Sequence, residues 1–116
     1  MRTLTERFVI LNDKDEIQIG SSGAAYFDTE DGAWKAIRYD IYHTYYMYFG
    51  ETREQALDKG RVLRKEQPNR KWAYEYKYQG EVHEFPGLRQ AYEFIKEKQV
   101  YRVVKFISLT YKELTE

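Results

Sequence analysis

From Lys71 to Tyr78 every second side chain is a large aromatic, so Trp72, Tyr74, Tyr76 and Tyr78 take one face of an extended segment and Lys71, Ala73, Glu75 and Lys77 take the other. That period of two excludes a helix here and predicts a strand with one face against other apolar groups. Gln79-Gly80 then offers a tight turn, and Glu81 to Phe85 returns as a second, short strand. Pro86-Gly87 opens a helix with Leu88, Ala91, Tyr92 and Ile95 on one side. Gln99 to about Tyr111, rich in valine, isoleucine and aromatics, predicts a long closing strand.

The first half reads similarly. Arg7 to Leu11 and Glu16 to Ile19 predict a hairpin around the turn Asn12-Asp13-Lys14-Asp15. Gly20-Ser21-Ser22-Gly23 interrupts the pattern, and Ala24 to Phe27 resumes an extended path. A helix should start in Asp28-Thr29-Glu30-Asp31, with Ala33, Trp34, Ile37 and Ile41 as its apolar stripe. The tyrosine-rich run from Tyr42 to Gly50 suits a strand by side-chain type, with a helix continuing to Gly50 as the alternative. Thr52-Arg53-Glu54-Gln55 has the spacing of a capping box, and Ala56, Leu57, Gly60 and Leu63 predict a helix to about Glu66, stopped by Gln67-Pro68-Asn69.

These elements predict an α+β fold with a mostly antiparallel sheet of about five or six strands and three helices. Their order, ββαβ, helix, ββαβ, suggests an internal duplication in which Ala33 to Ile37 corresponds to Ala91 to Ile95 and Tyr45 to Phe49 to Tyr101 to Phe106. The expectation is one domain over residues 1–116, with half-units 6–50 and 71–112 joined by helix 52–66, sharing one sheet or two packed half-sheets. The closing strand is longer than any partner predicted within one copy, which suggests a homodimer through its surplus edge.

The chain has no cysteine, so a disulfide framework and thiolate metal sites are excluded, and a cytoplasmic location is expected. Its apolar run near the start, Phe8 to Leu11, is too short for a signal or membrane segment. The 19 basic and 19 acidic residues cancel, which argues against a general nucleic-acid binder. The charges are unevenly placed: residues 53–77 carry 8 basic and 4 acidic side chains.

Candidate catalytic chemistry is thin. His43 and His83 are the only histidines. No spacing brings them together with Glu81 or Glu84 as a metal site, and the Gly20 to Gly23 loop lacks the lysine of a phosphate-binding turn. Neither an enzyme nor a cofactor or metal is expected.

Two binding surfaces are expected instead. The chain has 12 tyrosines, and aromatic groups serve equally as core or as contact residues. Tyr42, Tyr45, Tyr46 and Tyr48, together with Trp72, Tyr74, Tyr76 and Tyr78, form the aromatic candidate. Arg61, Arg64, Lys65, Arg70 and Lys71 form the basic one, whose bland reading is a solvated outer face. Together they imply a small inhibitor or adaptor that occupies a protein partner, of a kind that a phage or mobile element would encode and that would act in the host cytoplasm. The alternative is a nucleotide-like anion or single-stranded nucleic acid held by stacking and phosphate contact.

Overall fold

In a computed structural model, which describes residues 2–18, 23–69 and 71–111, Asn12 shows why the first two strands meet. Its side-chain oxygen accepts hydrogen bonds from the Lys14 and Glu16 N–H groups at 2.9 and 3.0 Å. Its backbone N–H donates to the Glu16 carbonyl at 2.9 Å. An asparagine that bonds its own turn in this way reverses the chain locally. Strand β1 (Arg2–Leu11) thereby pairs with β2 (Ile17–Gln18), with Ile10 opposite Gln18 and Leu11 opposite Ile17. The hairpin is as expected, although Ile19 and the Gly20 to Ser22 part of the following loop lie outside the described residues. Phe27 forms a two-way bridge to Phe8, with N–H to O=C distances of 2.8 and 2.7 Å.

The remaining elements are α1 (Glu30–His43), α2 (Arg53–Asp58), β3 (Leu63–Glu66), β4 (Trp72–Tyr78), β5 (Glu81–Phe85), α3 (Leu88–Glu97) and β6 (Arg102–Tyr111). Among the described residues the fold is α+β with three helices, and the strands form two three-stranded antiparallel sheets, β2-β1-β6 and β3-β4-β5. The expected duplication does not appear in this topology. β6, which should close the second repeat, pairs with β1 of the first, from Arg2 opposite Tyr111 to Leu11 opposite Arg102. β1 is ten residues long where five were expected. It therefore matches β6 residue for residue, and the surplus length that suggested a homodimer is taken up within one copy.

The chain divides into two compact units, Met1–Ile37 with Gln99–Glu116, and Arg38–Lys98. In the first, Ile10, Ala33 and Ile37 are buried. An Arg102–Asp15 ion pair ties the start of β6 to the hairpin turn.

In the second unit, β4 is covered on both faces. Register and alternation place Leu63, Glu75 and Lys77 on one side, where α2 lies: Arg53 pairs with Glu75, Lys77 Nζ reaches Asp58 at 2.6 Å, and Ala56, Leu57 and Leu63 form a buried cluster. On the other side the Phe94 ring of α3 meets Tyr76, Tyr78, His83 and Phe85 at centroid distances of 4.8 to 6.4 Å. The sheet is thus a filling between two helices, which is why Ala73 and Tyr76, on opposite faces of β4, are both buried.

Candidate functional site

The segment between α1 and α2 is neither the expected strand nor a continued helix. α1 ends at His43, whose ring stacks on Tyr39 at 4.0 Å and whose Nδ1 lies 2.8 Å from the Tyr39 carbonyl. The Tyr45 carbonyl then accepts the Arg64 N–H at 2.9 Å, which fixes Tyr45 beside β3. Further on, the Glu51 N–H donates to the Tyr48 carbonyl at 3.0 Å and closes a turn with Phe49 and Gly50 at its corner. Gly50, at φ +79°, has the left-handed conformation required of the third residue of a type II turn.

Glu51 braces that turn from within. Its carboxylate accepts the Tyr48 N–H at 3.0 Å and the Lys59 ammonium at 3.2 Å, and it pairs with Arg61. The side chains of Glu51 and Arg61 are only 5% and 13% exposed. The Tyr48 N–H is the main influence holding the Glu51 carboxyl below its usual range. Burial opposes it, and Lys59 and Arg61 reinforce it. The Arg61 guanidinium lies 4.1 Å from the Tyr48 ring centre, and its Nε and Nη1 are buried without a hydrogen-bond acceptor among the described residues.

What this scaffold displays is apolar. Tyr46, Met47 and Tyr48 are each about half exposed, and Phe49, next in the chain, is fully exposed. Tyr46 meets Tyr45 and Tyr48 edge-on at 6.4 and 5.7 Å.

An open pocket of about 590 Å³ adjoins this run, lined by Tyr45, Tyr46, Met47 and Leu63 together with Arg53, Arg64, Lys65, Glu66, Trp72 and Glu75. Most of its charge is internally matched. Arg53 forks onto the buried Glu75 carboxylate, with one contact of 3.0 Å, and this pairing raises the Arg53 guanidinium above its usual value against the opposing effect of burial. Lys65 reaches Glu84 at 3.6 Å. Arg64 differs: its guanidinium carbon lies 3.9 Å from the Trp72 ring centre and 5.1 Å from that of Tyr45, and it has no carboxylate partner among the described residues.

Of the residues expected to bind, Tyr45, Tyr46, Tyr48, Arg61, Arg64, Lys65 and Tyr74 come together here, Tyr74 meeting Tyr45 edge-on at 5.9 Å. Tyr76 does not belong with them; it is 3% exposed and faces Phe94. Tyr42 sits on α1, where it and Arg38 act on the Tyr92 hydroxyl, whose pKa is raised chiefly by burial. Lys71 is exposed in the turn before β4, its N–H bonded to the Asn69 side chain at 3.1 Å. Arg70 lies outside the described residues. Sequence reasoning passed over Phe49, Met47 and the bracing Glu51. Gly50 was the one available signal, since glycine supplies the positive φ that a tight turn needs.

Among the described residues no group of three or more histidine, aspartate or glutamate side chains is placed to hold a metal ion. Nor is any of their helices long and apolar enough to cross a membrane. His83 lies beside Tyr78 and Phe94, with ring centres 6.4 and 4.8 Å away. No protein-family model, curated protein or solved structure matches the chain.

Proposed function

We propose that this chain is a non-enzymatic binding protein, an inhibitor or adaptor that occupies a protein partner through the aromatic loop Tyr46 to Phe49. The observation that carries the reading is Phe49, a fully exposed phenylalanine at the corner of a turn braced by the nearly buried Glu51. Leaving such a ring in water forgoes roughly 2 kcal/mol of burial. A floppy loop could fold it back, whereas this one is closed by its own hydrogen bonds and holds it outward. Rigid aromatic groups displayed this way bind with little entropic cost and act as hot spots.

The charges favour a protein over nucleic acid. Arg53, Arg61 and Lys65 are each paired with a carboxylate of the same chain, so the surface offers few free cations to phosphates.

The test is capture of the partner from its source lysate with the wild-type protein, identification by mass, and Kd measurement with both purified. Phe49→Ala should weaken that Kd by roughly thirty-fold, about 2 kcal/mol, while moving the thermal midpoint by no more than about 3 °C. A partner held equally well by Phe49→Ala, or no partner at all, would overturn the reading.

A further inference from the structure

We propose that the pocket beside the loop is a carboxylate subsite, in which Arg64 receives an acidic group of a partner peptide while an adjoining apolar residue packs on Tyr46 and Met47. The inference rests on the protein-binding reading and gives the partner its chemistry.

Arg64 carries the argument. Its guanidinium carbon lies 3.9 Å from the Trp72 ring centre and 5.1 Å from that of Tyr45. A ring attracts the cation without accepting its N–H donors in the fork that matches a carboxylate. Those donors have no carboxylate among the described residues, whereas Arg53 and Lys65 beside them are occupied by Glu75 and Glu84. The pocket therefore contains one aromatic-clamped, unneutralised cation, held in place before any ligand arrives.

Charge also selects the ligand. Three cations and two carboxylates, Glu66 and Glu75, line the pocket, and Glu84 outside it neutralises Lys65. Arg64 is thus the single lining cation left for a ligand, which suits a monoanion. A phosphate near neutral pH carries more charge and would be repelled more strongly by Glu66. The apolar wall requires hydrocarbon next to the anion, which an acidic peptide side chain with a leucine neighbour supplies.

The probe is the capped tripeptide acetyl-Leu-Glu-Leu-amide, followed through the Arg64 Nε–H and Trp72 indole N–H signals in NMR spectra of the full chain. Its neutral counterpart with glutamine, and inorganic phosphate, are titrated in parallel. The acidic peptide should shift both signals saturably, with the glutamine peptide about ten-fold weaker and Arg64→Lys about ten-fold weaker again for the acidic peptide. Equal shifts from the two peptides, absence of shifts, or saturation by phosphate at lower concentration than by the acidic peptide would each overturn the assignment. The readout does not involve Phe49. Peptide shifts without any partner capture would sink the protein-binding reading alone, and partner capture without peptide shifts would sink only the carboxylate subsite.

Discussion

Glu51 ties the loop to acidity. A carboxyl whose pKa is lowered on folding binds fewer protons in the folded chain than in the unfolded one, so it adds stability that is complete above the unfolded value, about 4.3, and is lost as pH falls through the lower folded value. The brace should therefore be fully present from about pH 5 upward. The stability difference between the wild-type protein and Glu51→Gln, measured by urea unfolding, should shrink as pH is lowered from 5 to 3. The Tyr48 and Gly50 amide signals of the wild type should shift over the same range. A difference that is equal at both ends would mean that Tyr48, Lys59 and Arg61 do not favour the ionised carboxylate. At this scale the sequence was least legible. Alternation put Tyr74, Tyr76 and Tyr78 on one face correctly, but only the position of Phe94 decides that Tyr76 is core, and only the edge of β3 decides that Tyr45 joins Arg64 and Trp72.

Among the elements, α2 is the one whose start could be read most directly. Thr52 accepts the Gln55 N–H at 3.1 Å and the Gln55 side chain accepts the Thr52 N–H at 2.9 Å, the reciprocal pair that the spacing predicted. A six-residue helix has little stability of its own, and its burial of Ala56 and Leu57 depends on a correct start. Thr52→Ala should cost about 1 kcal/mol in urea unfolding. A cost near zero would mean that packing alone holds the helix. Its end was misread for a physical reason. The spacing puts Gly60 on a helical face, yet at φ +81° it terminates the helix, and Leu63-Arg64-Lys65-Glu66, good helix formers by composition, become β3 because Leu63 to Glu66 pair with Glu75 to Trp72. The tyrosine run failed in the opposite sense. Its side chains suit a strand, but β propensity needs a partner, and Tyr45 to Arg64 is the bond the segment forms to β3. Hairpins and helices built on local turn chemistry were legible, and pairings made across long separations were not.

At the scale of the whole chain, the buried apolar residues whose side chains are described fall mostly in one unit. Ile10, Ala33 and Ile37 belong to the first unit, whereas Ile41, Ala56, Leu57, Val62, Leu63, Ala73, Tyr76, Ala91 and Ile95 belong to the second. The second is a continuous stretch of chain, with its sheet covered on both faces. The first joins two distant segments, and its long β1–β6 ribbon must close the largest loop in the molecule before it gains any contact. Loop closure sets the expected order: the β1–β6 pairing should be the weaker. In native-state hydrogen exchange, the amides of β4 and α3 should open only with global unfolding, while those of β1 and β6 should open at a free energy lower by about 1 kcal/mol or more. Equal protection in both sets would show one cooperative structure. The expected order would place the aromatic loop and the Arg64 pocket on the more stable unit, consistent with a binding surface that is held rigid before its partner arrives.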